Sequence, residues 1–152
     1  MVIIAHNIRS LHNVGAIFRS ADCFAVERVY LTGITGTPPR PEIAKVALGA
    51  EDRVPWEVGD VVEVIRGLKG EGYRVIALDN LPGAVPIAPM DGKIALLLGN
   101  EVEGVEPSVL ALCDETVEIL MPGRKRSLNV AVATGIALFV LSGKSGKIYG
   151  LC

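Results

Sequence analysis

The sequence predicts an α/β fold with a mostly parallel sheet flanked by helices. Three observations carry that prediction. Short β-rich runs alternate with segments of helical apolar spacing along the whole chain. One run, Ile94–Leu98, is apolar at every position, as a strand covered on both faces must be. The 152 residues are 50% hydrophobic and 21% charged, which suits one domain with a real core and excludes a disordered chain.

The elements follow in order. Val2–Ala5 is a short β-rich run. Asn13–Ala25 reads as a helix, because Val14, Ile17, Phe18, Ala21, Phe24 and Ala25 share one face, and Asn13 is a candidate N-cap. Arg28–Leu31 is a strand, and the glycines and prolines of Thr32–Pro41 mark a loop. Pro41–Leu48 starts with proline in its first turn and predicts a short helix. Asp60–Lys69 is an amphipathic helix ended by Gly70 and Gly72. Arg74–Leu78 is a strand, and Asp79–Gly92, with three prolines, is a long loop. After Ile94–Leu98 come a short helix at Pro107–Cys113 and a strand at Thr116–Leu120. The last helix, Leu128–Leu141, is apolar almost all round, so the core or a second subunit must cover it.

Charge is unevenly placed. The formal net of −2 divides into −1 over residues 1–60, −6 over 61–120 and +5 over 121–152. A near-neutral average speaks against a nucleic-acid binder with a broad basic face, but the basic C-terminal part keeps a local contact open. Cys23, Cys113 and Cys152 are odd in number and widely spaced, and His6 and His12 are the only histidines. No zinc pattern can be assembled from them; no metal is expected, and free thiols in a reducing cytoplasm are. The apolar stretch Val130–Leu141 is shorter than the ~20 residues a bilayer requires, and no signal peptide opens the chain. No G-x-G-x-x-G follows a strand. Gly143-Lys144-Ser145 resembles the tail of a phosphate loop, but the first glycine of that motif would fall on Leu138.

Three polar clusters stand at junctions between strands and helices, where open α/β sheets bind ligands. The first, Asn7–Ala21, carries Arg9, Asn13, Gly15, Ala16 and Arg19. Arg19 reads either as a functional cation or as the partner of Asp22 at i+3. The second is Leu98-Gly99-Asn100-Glu101-Val102-Glu103-Gly104, whose glycines let backbone approach a ligand. In the third, Arg124, Lys125 and Arg126 precede Ser127-Leu128-Asn129 and the apolar helix. Cations oppose the macrodipole at a helix N-terminus, so their placement points to an anionic partner; Ser127 is also a candidate N-cap.

In this order the clusters resemble the three motifs of the SpoU (TrmH-type) RNA 2′-O-ribose methyltransferases of the SPOUT superfamily. Asn13, Ala16 and Arg19 match N-x-x-A-x-x-R; Gly99, Glu101 and Gly104 match G-x-E-x-x-G; Ser127, Leu128 and Asn129 match S-L-N. The resemblance implies a methyltransferase domain over 1–152, a deep trefoil knot over about 78–141, and a homodimer; the chain is expected to depart from many family members in having no separate RNA-binding domain. It implies S-adenosylmethionine as cofactor and S-adenosylhomocysteine as product. The cofactor-binding residues would be Leu78, Asp79, Asn80, Gly99, Asn100, Glu101, Ile119, Met121, Ser127 and Leu128. The catalytic set would be Arg19, Asn13, Glu101, Ser127 and Asn129, with Asn13 positioning Arg19 or the phosphate and Glu101 orienting Arg19 or a neighbouring backbone group. RNA contacts would come from Arg9, Arg19, Arg124, Lys125 and Arg126, with Lys144 and Lys147 in a short basic tail. The expected reaction is methyl transfer to a ribose 2′-hydroxyl of tRNA or ribosomal RNA, tRNA being mildly preferred, in a cytoplasmic protein that binds neither membrane nor DNA. A noncatalytic RNA-binding module of the same fold, or a base methyltransferase of the wider superfamily, are the alternatives.

Overall fold

The computed structural model describes residues 1–143. Seven strands form one parallel sheet: β1 (Val2–His6), β2 (Arg28–Thr32), β3 (Trp56–Gly59), β4 (Arg74–Leu78), β5 (Val85–Pro86), β6 (Ile94–Leu98) and β7 (Glu115–Glu118). Their order across the sheet is β3-β2-β1-β6-β4-β7-β5. The helices are α1 (Leu11–Cys23), α2 (Pro41–Ala47), α3 (Ala50–Arg53), α4 (Val61–Gly70), α5 (Pro107–Leu110) and α6 (Val130–Leu141).

Period-two alternation divides the central strands between two cores. Ile3, Ala5, Leu96 and Leu98 face α1, α2 and α6, whereas Val2, Ile4, Ala95 and Leu97 face α4 and α5. All five residues of β6 are buried, as its unbroken apolar run requires. On α4, Val61, Ile65 and Leu68 supply the inward face, and Asp60 caps the helix by accepting from Val62 N and Glu63 N.

Two caps differ from the sequence reading, and each difference frees a side chain. Ser10, not Asn13, caps α1: its hydroxyl accepts from Asn13 N at 3.2 Å. Asn129, not Ser127, caps α6, its Oδ1 accepting from Ala131 N and Val132 N. Of the two readings of Arg19, the pair with Asp22 does not form; Asp22 is engaged by Arg53 at 2.6 Å. Three short elements escape sequence reading: β3 is an edge strand with exposed Glu57 and Val58, β5 has two residues, and α3 has four.

Strand order shapes the site. Leu78 at the end of β4 and Val85 in β5 both pair with Val117, from opposite sides. Residues 79–84 therefore arch from one flank of β7 to the other. On α6, Val130, Ala137, Leu138 and Leu141 point into the core. Val132, Ile136 and Phe139 form an exposed stripe at helical spacing, 52%, 36% and 37% accessible. None of the helices among the described residues is long and apolar enough to cross a membrane.

Candidate active site

The carboxyl ends of β4, β6 and β7 open onto a pocket of about 250 Å³. Three loops supply its walls. Leu78, Asp79 and Asn80 come from the start of the arch; Gly99, Asn100 and Glu101 follow β6; Ile119, Met121, Ser127 and Leu128 belong to the segment between β7 and α6. The ten residues assigned to the cofactor from the sequence thus line one cavity.

The glycines of the second loop have steric reasons to be there. A Cβ on Gly99 would stand 2.5 Å from Val105 Cγ2 and 2.8 Å from the Gly104 carbonyl carbon. Gly104 has φ +70°, and a Cβ there would meet Asp79 Oδ2 at 2.6 Å. That oxygen accepts from Val105 N, which joins the first loop to the second. Asn80 Nδ2 donates to the Arg126 carbonyl at 2.8 Å and joins the first to the third. Asn100 closes its own turn, with Oδ1 accepting from Val102 N and Glu103 N.

A chain of three polar side chains links the motifs. Asn129 Nδ2 donates to Asn13 Oδ1 at 3.1 Å, and Asn13 Nδ2 donates to Glu101 Oε1 at 2.9 Å. This is possible because Ser10 has relieved Asn13 of capping, while Asn129 caps through its oxygen and reaches Asn13 through its nitrogen. Among the described residues, Asn13 and Glu101 therefore engage each other rather than Arg19. Arg19 stands apart, exposed on α1, outside the pocket lining and without an ion-pair partner among the described residues. Arg9, Arg124, Lys125 and Arg126 are all exposed, and Arg126 also lines the pocket. Lys144 and Lys147 lie outside the described residues.

Sequence reasoning missed Glu118, because reading the strand as Thr116–Leu120 put this residue in its middle, whereas β7 ends at Glu118 and its carboxylate lines the pocket. With Asp79 and Glu101 it gives the cavity three carboxylates against the single guanidinium of Arg126, a lining suited to a cationic ligand. The apolar side chains of Leu78, Ile119, Met121 and Leu128 offer a surface for a flat heterocycle. No group of three or more His, Cys, Asp or Glu among the described residues is placed to hold a metal.

Fold and site together define an α/β protein whose ligand pocket is built from loops at the carboxyl ends of parallel strands. The profile of the SpoU rRNA Methylase family matches residues 1–139. The chain belongs to that family. It is 34% identical over 140 residues to the 23S rRNA (guanosine-2′-O-)-methyltransferase RlmB of Escherichia coli K12, a match covering 91% of this chain and 58% of that protein. It is 32% identical over 141 residues to the Xanthomonas axonopodis protein of the same name, covering 91% of this chain and 57% of that one. The chain thus spans under three-fifths of the length of these curated relatives. Among solved structures, an AdoMet-bound rRNA methyltransferase from Sinorhizobium meliloti superimposes with a TM-score of 0.87 at 28% identity, covering 97% of this chain and 57% of that one. The A. aeolicus TrmH/SpoU tRNA modifying enzyme gives 0.85 at 29% identity, covering 94% and 74%.

Proposed function

We propose that this chain carries out S-adenosylmethionine-dependent methylation of a ribose 2′-hydroxyl in tRNA or ribosomal RNA. The observation that carries this reading is the convergence of three loops on one acidic and apolar pocket, with Asn129, Asn13 and Glu101 hydrogen-bonded in series. The pocket residues fit the cofactor: carboxylates for a sulfonium, apolar side chains for an adenine, and loop backbone for its polar edges. When bound, the cofactor supplies an electrophilic methyl group and leaves as S-adenosylhomocysteine.

The chain's own residues do the rest. Leu78, Ile119, Met121 and Leu128 hold the heterocycle, while Asp79, Asn80, Gly99, Asn100 and Ser127 orient the remainder. The Asn129–Asn13–Glu101 series holds the pocket mouth in one geometry, so that the ribose hydroxyl meets its target without reorganisation. A guanidinium stays charged in proteins, so Arg19 binds the phosphate beside the target ribose and stabilises the developing oxyanion rather than accepting its proton. Arg9 and Arg124–Arg126 contact further phosphates, so RNA binding weakens with salt.

Two structural features support the accompanying expectations of a dimer and a knot. Arg19 belongs to α1, which packs on α6 through its neighbours: Ser20 lies against Gly135, and Phe24 meets Phe139 of the apolar stripe edge-on at 6.5 Å. Pairing of two copies through that stripe would place Arg19 at the subunit boundary, within reach of the partner's pocket. The arch of residues 79–84 over β7 gives the chain leaving β7 a loop to pass through, as the knot requires.

The test is incubation with methyl-labelled S-adenosylmethionine and separated tRNA and ribosomal RNA, followed by mapping of 2′-O-methyl positions. Transfer to ribose in one RNA class is expected, and Arg19→Ala should abolish it while leaving cofactor binding intact. Cofactor binding without transfer to any RNA would favour the noncatalytic module, and methyl groups found only on bases would favour a base methyltransferase. Undiminished transfer by Arg19→Ala would overturn the role of that residue.

A further inference from the structure

Beside the pocket, at the carboxyl end of β1, is a polar cluster that the proposed reaction does not use. His6 is 5% exposed. Its Nδ1 lies 2.9 Å from Thr32 Oγ1, and its Nε2 lies 3.0 Å from Glu106 Oε2 and 3.2 Å from Asn7 Nδ2. Asn7, the next residue, has φ +55°, in the left-handed region that asparagine enters more readily than most residues. Every polar group of Asn7 is engaged. Its backbone N–H donates to the Thr32 carbonyl at 3.2 Å, and its carbonyl accepts from Asn100 Nδ2 at 3.1 Å. Its Oδ1 accepts from Ile34 N at 3.0 Å, and its Nδ2 donates to Glu106 Oε1 at 2.8 Å. Gly33 makes room for this side chain: a Cβ there would stand 2.0 Å from Asn7 Oδ1.

These contacts join two segments with different tasks. Asn7 opens the loop that carries Arg9 and leads to Asn13. Asn100 and Glu106 bound the loop that carries Glu101 and walls the pocket. The 7% exposed side chain of Asn100 shapes that loop with its oxygen and holds Asn7 with its nitrogen. Between the working ends of the two loops, the described contact is the Asn13–Glu101 hydrogen bond, made by an exposed carboxylate. One such bond holds little by itself, because water competes for both partners. At the roots of the loops, the Asn7 cluster sets their register through several shared contacts.

We propose that Asn7, clamped by Glu106 and His6, is a positioning residue that couples the cofactor-side loop, residues 99–106, to the RNA-side loop, residues 7–13. Ligand in the pocket orders the first loop, and the clamp passes that order to the second. The cost of ordering loop 7–13 is then already met when RNA arrives, and the two ligands bind cooperatively. The inference rests on the reading of the pocket as a cofactor site, and its test needs no RNA.

The test is amide hydrogen exchange on the full chain with and without saturating S-adenosylhomocysteine. In the unmodified protein, the ligand is expected to slow exchange over residues 99–105 and also at Ile8, whose N–H donates to Thr35 Oγ1 at 3.0 Å. The slowing at Ile8 should reach at least about fivefold, the lower end of ordinary site-to-site coupling. Asn7→Gly retains access to the left-handed backbone and removes the side chain. It should keep the protection over 99–105 and lose it at Ile8. Glu106→Ala, on an exposed residue, should do the same, and Glu106→Gln, which retains an acceptor for Asn7, should restore most of the effect.

Protection over 99–105 without any at Ile8 in the unmodified protein would overturn the coupling and leave the cofactor reading intact. Equal protection at Ile8 in all variants, or faster exchange spread evenly over β1 and its neighbours, would also overturn it, since the latter marks plain destabilisation. Absence of S-adenosylhomocysteine binding would overturn the cofactor reading itself, and the coupling with it.

Discussion

Asn129 performs two tasks with two atoms, and two substitutions separate them. Its Oδ1 accepts from Ala131 N and Val132 N at the start of α6, while its Nδ2 donates to Asn13 Oδ1. Asn129→Ala removes both functions. Loss of an asparagine N-cap costs about 0.5–2 kcal/mol. The exposed hydrogen bond to Asn13 adds about 0.5 kcal/mol, at the low end for such bonds. Taking a total near 2 kcal/mol, and about 2–4 °C per kcal/mol for a domain of this size, the melting temperature should fall by about 4–8 °C. Asn129→Asp keeps the cap, since a carboxylate accepts the same two N–H groups and its charge suits a helix N-terminus. It loses the donor, however. Asn13 then faces oxygen with oxygen, or turns its amide over and presents oxygen to Glu101 instead. One contact of the series becomes repulsive in either arrangement. Asn129→Asp should therefore melt within a few degrees of the unmodified protein and lose at least about tenfold in kcat/KM, the equivalent of ~1.4 kcal/mol. Circular dichroism melting and transfer of labelled methyl groups to RNA measure the two effects. Full activity in a stably folded Asn129→Asp protein would refute the role of the series, and an unchanged melting temperature in Asn129→Ala would refute the cap.

Three further outcomes are expected. Gly99→Ala forces a methyl group against Val105 and the Gly104 backbone, so titration calorimetry should show cofactor binding weakened at least tenfold, with stability lowered by about 1–3 kcal/mol as for other overpacked sites. Burial pushes the Cys113 thiol up to about 11, so alkylation followed by mass spectrometry should label exposed Cys23 before Cys113 at pH 8, with Cys113 reacting as pH rises toward 11. Burial opposes the charged form of Asp114, but the Val75 N–H at 2.8 Å and the Lys69 ammonium at 3.0 Å outweigh it and hold its carboxyl below the ordinary 3.8. A depressed carboxyl contributes stability that is present above its unfolded value and lost as pH falls through its folded one. Urea midpoints should therefore fall below about pH 4 in the unmodified protein, and Asp114→Asn should flatten that part of the profile.

Much of the fold is legible where a local pattern has one physical solution. The unbroken apolar run of Ile94–Leu98 has to lie between two layers, and it occupies an interior position in the sheet. The amphipathic run read as a helix over Asp60–Lys69 is α4, with Asp60 standing just outside it as the cap. The G-x-E-x-x-G spacing marks a tight loop, and both glycines prove to be sterically required. The family resemblance also brought ten pocket residues together in advance, although they come from three distant segments. Edge strand β3 and the two residues of β5 leave no comparable pattern, because partial exposure removes the apolar signal and a two-residue strand has no period.

The α/β class, the polar loops and the concentration of positive charge after residue 120 are all readable along the chain, because they follow from nearest-neighbour chemistry and periodicity. The tertiary structure decided that Ser10 rather than Asn13, and Asn129 rather than Ser127, caps its helix, since these side chains have similar capping chemistry and differ only in where the backbone turns. It also decided that Asn13 meets Glu101 and Asn129 while Arg19 stands apart, and that β7 enters between β4 and β5. Those outcomes depend on strand order, and strand order is set by packing among residues tens of positions apart, to which no local pattern in the chain refers. The average charge of −2 shows the same division: its sum was plain from composition, but only the folded chain set Arg126 against three carboxylates in one pocket.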